Sequence, residues 1–142
     1  MTIALILERK GRDVVSIFAD ASVREAIASL AERKIGAMPV MEGDKVAGIL
    51  SERDVIYCLA RDGAAILDWP VTRIMTAPAI TIDRSVSALA ALSQMTRRRI
   101  RHLPVVEEER LIGLVSIGDL VAYRIARIEE EAEAMRAYIQ SA

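Results

Sequence analysis

Two short Ser-x-x-Asp segments carry most of the residues that could do chemistry. Ser51 and Asp54 belong to the sequence Ser-Glu-Arg-Asp, and Ser116 and Asp119 belong to Ser-Ile-Gly-Asp. A serine followed three residues later by an acid, where an apolar helical pattern begins, is typical of a helix N-terminus. A carboxylate at a helix N-terminus stays ionised and can accept two hydrogen bonds, which suits the paired hydroxyls of a ribose. Helix capping and sugar binding are both compatible with these residues.

Two cationic side chains precede the second Ser-x-x-Asp segment. Arg101 and His102 stand directly before an apolar run, and His102 is the only histidine of the chain. Successive residues of a strand point to opposite faces, so we do not expect the two to act as an identical pair. Arg101 would bring a permanent charge and His102 a tunable one to an anionic ligand. The alternative for His102 is a surface or hydrogen-bonded structural residue.

The sequence lacks the common catalytic and metal-binding patterns. It contains no His-x-x-x-His, Cys-x-x-Cys, Gly-x-Gly-x-x-Gly or Walker sequence. Cys58 and His102 fall on different predicted elements with no acid fixed beside them, and Cys58 is expected to be a small buried apolar residue. The acidic run 107–109 is most simply a solvated turn. We therefore expect no catalytic residue, no metal site and no enzymatic activity.

Composition argues against nucleic-acid and membrane partners. The 142 residues carry a formal net charge of −1, and aromatic residues make up 4% of them. Such a chain has neither a general attraction for polyanions nor platforms on which bases could stack. The apolar N-terminus lacks a preceding basic region, and no run reaches the roughly 18–20 apolar residues that a membrane span needs. With one cysteine, compatible with a reducing compartment, we expect a cytoplasmic protein.

Hydrophobic spacing predicts the elements that position these residues. Helices are expected to begin near Ser22, Ser51 and Ser85 and after Asp119, and Gly36 is expected to be the left-handed residue after the first of them. A short helix or turn is expected at residues 3–9. Short apolar runs predict strands at 14–17, 38–41, 46–50 and 79–82 and on both sides of the turn 107–110.

The chain also contains an internal repeat. Residues 35–54 align without a gap to residues 100–119, at an offset of 65. Two copies in a chain of this length indicate one pseudo-symmetric pair rather than a solenoid or a propeller. The join at residues 68–70 is short and apolar, so the halves should pack on each other. We expect an α/β (α+β) fold in which each repeat forms a small sheet with two helices.

The repeated pattern resembles the CBS domain, a family named after cystathionine β-synthase. The matching features are Ile-x-x-(Met/Leu)-Pro-Val, a hairpin and Gly-x-x-Ser-x-x-Asp in each copy, with Ile-Met-Thr at residues 74–76. Two copies in tandem resemble the CBS pair called a Bateman module, of the stand-alone bacterial type. The resemblance predicts repeats at residues 5–66 and 70–127 that pack as one module. Beyond the repeats, apolar spacing predicts a C-terminal amphipathic helix extension at residues 128–142.

In CBS pairs that this chain resembles, the Asp of the Ser-x-x-Asp motif contacts a ribose and the Ser lies near the ribose or phosphate. The resemblance also implies that Arg101 and His102 contact phosphate in the second repeat. The ligand-binding residues so implied for the second repeat are Met75, Thr76, Thr81, Ile82, Arg101, His102, Pro104, Ser116 and Asp119.

The first repeat departs from this pattern, because it has Gly36 and Ala37 where the second has Arg101 and His102. Its site is therefore expected to bind only weakly, to take phosphate contacts from Arg53 or Lys10, or to be vestigial. The residues implied for the first repeat are Lys10, Ser16, Ile17, Ala37, Pro39, Ser51, Arg53 and Asp54.

The resemblance implies a non-catalytic sensor or regulatory module that needs no cofactor. Its ligand would be AMP, ADP, ATP, NAD or S-adenosylmethionine, and binding would be transmitted through repeat or dimer packing to an unknown protein partner. The alternative is a ligand-free dimerisation or scaffold protein in which the Ser-x-x-Asp motifs serve only as caps. Beyond about Ile128 the last helix must bury its apolar stripe on its own chain or on a second one, and we expect a homodimer.

Overall fold

The computed structural model describes residues 2–141 and contains two β-hairpins at the spacing of the sequence repeat. In chain order its helices and strands are α1 (Ile3–Lys10), β1 (Ile17–Phe18), α2 (Val23–Arg33), β2 (Ala37–Glu42), β3 (Lys45–Ser51), α3 (Glu52–Asp62), α4 (Ala88–Arg98), β4 (His102–Glu107), β5 (Arg110–Ser116) and α5 (Ile117–Ser141). Two short 3-10 helices, Gly63–Asp68 and Val71–Arg73, join α3 to the second repeat. The expected α/β fold of two pseudo-symmetric repeats is confirmed.

The two hairpins have the same register. Ala37 pairs with Ser51 across β2 and β3, and His102 pairs with Ser116 across β4 and β5. Strand β1 adds a parallel edge to the first hairpin. The prediction of a strand at 79–82 is wrong. Of these residues only Ile82 forms a β-bridge, to Val105, and its backbone hydrogen bonds go to Pro104 and Val106 on β4. The strand expected at 14–17 is shorter and later than predicted, at Ile17–Phe18.

Serine side chains cap the helices much as expected. The Ser22 Oγ accepts a hydrogen bond of 3.1 Å from the Glu25 N–H at the start of α2. Helix α4 begins later than expected, with Ser87 as its cap. The left-handed residue after α2 is Lys34, with φ of 55°, and not Gly36. Helix α2 ends at Arg33, so Lys34 is the residue at which the backbone turns away from the helix.

Each repeat is completed by the segment that precedes the other repeat. Helix α1 buries Ile3 and Leu7 in the core formed by the second repeat, so residues 5–10 pack there although they were assigned to the first. In the same way, Val71 and Ile74 are buried in the core of the first repeat. Neither repeat can bury its core fully without the other's leading segment, which makes the pair one folding unit.

Two glycines allow these leading segments to approach the hairpins. A Cβ on Gly113 of β5 would lie 2.6 Å from the Leu7 Cδ2, and a Cβ on Gly48 of β3 would lie 2.8 Å from the Thr76 carbonyl oxygen. The Thr76 backbone then makes both hydrogen bonds to Ile49, at 2.9 and 3.0 Å. This close approach fixes Thr76 beside the start of α3.

Helix α5 runs for 25 residues, continuously through the predicted boundary at 128; Ala142 lies outside the described residues. Its first turns bury Leu120 and Tyr123 against the second repeat. Further along, Ile128, Met135 and Ile139 are 50%, 60% and 65% exposed. The apolar stripe predicted for this helix is therefore not buried within its own chain.

Candidate functional site

A cleft of about 220 Å³ opens between the two repeats. The first repeat contributes the start of β2 and the cap of α3, and the second contributes the residues between α4 and β4. Its lining residues are Gly36, Ala37, Ile49, Ser51, Glu52, Arg53, Asp54, Thr76, Arg99, Ile100, Arg101 and His102. The cleft thus joins one helix N-terminus to the cationic segment of the other repeat.

Asp54 closes the N-terminal cap of α3 from inside this cleft. Its Oδ2 accepts hydrogen bonds from the Ser51 N–H at 2.9 Å and the Ser51 hydroxyl at 3.1 Å, while the Ser51 Oγ accepts from the Asp54 N–H at 3.2 Å. Its Oδ1 accepts only from the Thr76 hydroxyl, at 3.2 Å, among the described residues. Because that donor is neutral and exposed, ligand hydroxyls can compete with it for Oδ1. The cap role is present, and the ribose contact stays a prediction.

Positive charge surrounds the other side of the cleft. Arg53, Arg99 and Arg101 line it beside a single lining glutamate, Glu52. The Arg53 guanidinium also donates a 3.4 Å hydrogen bond to the Arg99 carbonyl, which links α3 to the end of α4. Three permanent cations against two lining carboxylates give the cleft an excess of positive charge. Such a surface attracts phosphate, for which arginine has the best geometry.

His102 lies half-buried at the same cleft. Burial lowers the pKa of its imidazole below the ordinary 6.5, and the positive charge of Lys10 lowers it further. The nearby carboxylates of Asp119 and Glu52 act in the opposite direction. His102 is therefore mostly neutral at neutral pH and gains its charge as the pH falls through this lowered pKa.

The structure groups the predicted residues differently from the sequence repeat. Arg101 and His102 were assigned to the site of Asp119, yet they line the cleft of Asp54 together with Ala37. The reason is that the start of β4 faces the start of β2 across the join between repeats. The first repeat's site therefore does not lack cations; it receives them from the second repeat.

The Asp119 carboxylate is held by a lysine from the N-terminal helix. Its Oδ2 accepts hydrogen bonds from the Lys10 ammonium at 2.6 Å and from the Ser116 N–H at 2.8 Å. Lys10 also donates to the Leu114 carbonyl at 2.7 Å; Leu114 is the counterpart of Ile49, which Thr76 contacts in the other half. Burial opposes ionisation of Asp119, but the bonds from Lys10 and Ser116 outweigh it and hold the pKa of Asp119 below 3.8.

The remaining predicted residues lie outside the cleft. Pro39, Pro104 and Ile82 are buried in or beside the strands, Ile17 pairs with Val40, and Met75 packs against Gly48; Ser16 and Thr81 are exposed elsewhere. Sequence reasoning missed the lining residues Gly36, Ile49, Glu52, Arg99 and Ile100. The basic run 97–99 is accounted for locally by the dipole of α4, whose C-terminal end favours cations. A signal for Arg99 is its position two residues before Arg101, just past the end of that helix.

Three further observations concern metal binding, the cysteine and membrane insertion. Within residues 2–141, no group of three or more His, Cys, Asp or Glu side chains is arranged to hold a metal ion. Cys58 is buried in the core of the first repeat. In the same residues, no helix combines the length and apolarity needed to cross a membrane.

Comparison with known proteins gives the family. The model of the CBS domain matches twice, at residues 10–61 and 71–126. This chain belongs to the CBS domain family. The two matches make it a CBS pair; the first begins at the last residue of α1 and the second begins at Val71. A relative from Arabidopsis thaliana, the CBS domain-containing protein CBSX3, mitochondrial, is 33% identical over 148 residues, which cover 98% of this CBS pair and 72% of the relative.

Solved structures confirm the fold of the pair. A CBS-domain containing protein from Agrobacterium tumefaciens is 39% identical, with a TM-score of 0.84 over 87% of this chain and 99% of that one. The CBS domain pair of protein MJ0100, solved in complex with 5′-methylthioadenosine and S-adenosyl-L-methionine, has a TM-score of 0.79 at 22% identity. That match covers 89% of this chain and 98% of the other, and at this identity it shows the fold alone.

Proposed function

We propose that this CBS pair is a non-catalytic regulatory module that binds an adenosine nucleotide in the Asp54 cleft. The proposal rests on one observation: a carboxylate and a pair of arginines, contributed by different repeats, line the same cleft. One repeat supplies a carboxylate at a helix N-terminus, and the other supplies Arg99 and Arg101. A molecule with vicinal hydroxyls at one end and phosphate at the other matches both.

The orientation of the ligand follows from the charges. The ribose hydroxyls would donate to the Asp54 Oδ1 in place of the Thr76 hydroxyl. The phosphate would lie toward Arg53, Arg99 and Arg101, with His102 as a further donor. The adenosine ligands in the MJ0100 structure support this class of ligand for the fold. In this chain the excess of cations favours a phosphorylated nucleotide over S-adenosylmethionine, whose sulfonium is itself positive.

Size narrows the choice further. Typical small-molecule pockets measure about 300–1,000 Å³, and this cleft measures about 220 Å³. A mononucleotide whose phosphates extend toward solvent fits that space better than a dinucleotide such as NAD. We therefore propose AMP, ADP or ATP as the ligand of the Asp54 cleft.

Regulation would follow from the position of the cleft between the repeats. A bound ligand would contact both the cap of α3 and the start of β4. If the two repeats can pack in more than one arrangement, the ligand favours the arrangement that it binds more tightly, by the difference between its binding free energies for the two. We propose that the pair acts in the cytoplasm as a homodimer and that a partner protein responds to this change. Exposed apolar residues on α3 and α5, among them Ile56, Tyr57 and Ile125, support the dimer.

The test is a thermal-unfolding screen against AMP, ADP, ATP, NAD⁺, NADH and S-adenosylmethionine at millimolar concentration. A ligand at 100 times its dissociation constant adds about 2.7 kcal/mol to the free energy of unfolding, which raises the midpoint by several degrees. We expect the largest shift from one of the adenosine mononucleotides. Ribose 5-phosphate and inorganic phosphate at equal ionic strength serve as controls for general anion effects.

The second candidate function is a scaffold that binds no nucleotide. It is favoured by the finding that Ser51 and Ser116 both cap helices, because that role alone would account for the motifs. In that case no ligand in the screen shifts the unfolding midpoint more than phosphate does. Substituting Asp54 would then lower stability without changing any binding.

A further inference from the structure

The exposed stripe of α5 follows a seven-residue repeat. Its apolar residues recur at alternating spacings of four and three, and they are Val121, Ile125, Ile128, Ala132, Met135 and Ile139. A straight helix cannot keep such a stripe on one line, but two helices that supercoil around each other can. In heptad notation, Ile125, Ala132 and Ile139 are a positions, and Val121, Ile128 and Met135 are d positions.

The body of the protein lies on the opposite face of this helix. Leu120 and Tyr123, the residues that α5 buries in its own chain, occupy c and f positions, away from the a and d stripe. The stripe itself is about half exposed at Val121, Ile125 and Ile128, at 45%, 51% and 50%. Packing against the second repeat therefore holds the first turns of the helix in place and leaves the stripe free for another helix.

The charges that flank the stripe select the partner and its direction. The charged residues at g positions are Arg124 and Glu131, and those at e positions are Glu129 and Arg136; Tyr138 and Ala122 are the uncharged g and e residues of this stretch. In a parallel pair of identical helices, each g residue faces the e residue five positions later on the other helix. Arg124 then meets Glu129 of the second copy, and Glu131 meets Arg136 of the second copy, so every flanking pair joins opposite charges.

An antiparallel pair that overlaps fully would be repulsive. There, e positions face e positions and g positions face g positions, so Glu129 would meet Glu129 and Glu131 would meet Glu131. The existing bonds of these residues do not prevent the parallel arrangement. Glu131 lies 3.6 Å from Arg127, and Arg136 lies 3.3 Å from Glu133, in pairs that are largely exposed to solvent and therefore weak.

We propose that α5 forms a parallel two-stranded coiled coil with the α5 of a second copy of this chain. The two copies would run side by side from about residue 121 to residue 139, and both cores would lie at the same end of the coil. This inference concerns a surface away from the Asp54 cleft, so it does not depend on which nucleotide binds there, or on whether any does.

The test uses disulfide cross-linking in the full chain with Cys58→Ser as background. Met135→Cys places a thiol at a d position, where the parallel coil brings the two copies together. Ala137→Cys places a thiol two residues on, at an f position that faces solvent, and is the matched control. Under mild oxidation we expect rapid disulfide dimers of the Met135→Cys protein and at least tenfold slower dimer formation by the Ala137→Cys protein. Equal rates, or no cross-link at residue 135, would overturn the proposal.

Charge exchange tests the direction and register independently. In the Met135→Cys background, Glu129→Arg sets two arginines against each other and should slow cross-linking about tenfold. The double change Arg124→Glu with Glu129→Arg restores opposite charges and should restore the rate. An antiparallel pair predicts no rapid cross-link at residue 135, and a different partner on the stripe predicts no recovery in the double variant. Either result rejects the parallel coil, while nucleotide binding measured on the same proteins reports separately on the cleft.

Discussion

Lys10 and Asp119 are 109 positions apart in the sequence, yet the Lys10 ammonium lies 2.6 Å from the Asp119 carboxylate. At the equivalent place in the other half, the Asp54 carboxylate meets the Thr76 hydroxyl at 3.2 Å. The Lys10 ammonium also donates to the Leu114 carbonyl, so a ligand would have to replace a charged donor at Asp119 and a neutral one at Asp54. The two Ser-x-x-Asp motifs are thus alike as caps, and their carboxylates differ in the donor that each one holds.

Lys10→Met should lower the free energy of unfolding at pH 7 by about 1 kcal/mol, because both partners of the ion pair are partly exposed. The folded-state pKa of Asp119 is lowered from 3.8, so its contribution is present above pH 3.8 and is lost as pH falls through the lower folded value. Urea unfolding should therefore show a difference from wild type that shrinks with acidification.

The exposed pair Arg24–Asp68, at 3.5 Å, provides the control for Lys10→Met. Arg24→Met should change stability by less than about 0.5 kcal/mol at pH 7. If Lys10→Met has no larger effect than Arg24→Met, the ion pair does not stabilise the second motif.

His102 should make nucleotide binding depend on pH. Its pKa lies below 6.5 in the folded protein, so it gains positive charge beside the proposed phosphate position as pH falls below 6.5. Calorimetric titrations of wild type and His102→Gln should agree within about twofold near pH 7.5. As the pH is lowered stepwise from 6.5, wild type should come to bind more tightly than His102→Gln, by about fivefold to tenfold once His102 is protonated, equivalent to about 1–1.4 kcal/mol. Phosphate protonation affects both proteins alike, so a constant ratio across this range would exclude His102 from the site.

Gly48→Ala should damage the cleft, whereas Gly113→Ala should not. The new Cβ at residue 48 would lie 2.8 Å from the Thr76 carbonyl and force Thr76 away from Asp54, while at residue 113 it would meet the side chain of Leu7. Each change should cost about 1–3 kcal/mol of stability, as overpacking usually does. Nucleotide affinity, measured by calorimetry at a temperature where both variants are folded, should fall only for Gly48→Ala. Equal affinities would show that Thr76 does not shape the site.

Tyr123→Phe should not destabilise the protein. The Tyr123 hydroxyl is buried at the start of α5 and has no hydrogen-bond partner among residues 2–141. Removing a buried, unsatisfied hydroxyl removes its desolvation penalty and keeps the ring, so thermal unfolding should show no loss and a gain of up to about 1 kcal/mol. Tyr57→Phe, on an exposed residue of α3, is the control and should have no effect. A loss above about 1 kcal/mol for Tyr123→Phe alone would mean that the hydroxyl is hydrogen bonded in solution.

The sequence predicts the parts of this fold that depend on nearby residues. The repeat offset of 65, the caps at Ser51 and Ser116 and the turn at residues 107–110 all follow from local pattern. It is less informative at residues 79–82, where the predicted strand is reduced to the single bridge residue Ile82. It is also less informative after α2, where the left-handed residue is Lys34 and not the predicted Gly36. Those outcomes depend on packing between distant segments.

Which of the candidate site residues lie together is harder to predict, because that also depends on packing between distant segments. Alignment of the repeats assigns Arg101 and His102 to Asp119, because all three lie in one copy. In the structure the copies exchange their leading segments and share each boundary, so Arg101 and His102 line the cleft of Asp54. The Lys10 contact to Asp119 spans both repeats and leaves no local signal. Sequence reasoning consequently expected the stronger site at Asp119.

The most direct test of the account is calorimetric titration of AMP, ADP and ATP into wild type, Asp54→Asn and Asp119→Asn. We predict one nucleotide per chain. For the tightest ligand, Asp54→Asn should weaken binding by about 1.5–3 kcal/mol, roughly 10- to 150-fold, as expected for loss of a charged hydrogen-bond acceptor. Asp119→Asn, which changes the carboxylate already held by Lys10, should bind within about threefold of wild type. Unchanged affinity in Asp54→Asn, with a large loss in Asp119→Asn, would contradict the assignment of the site.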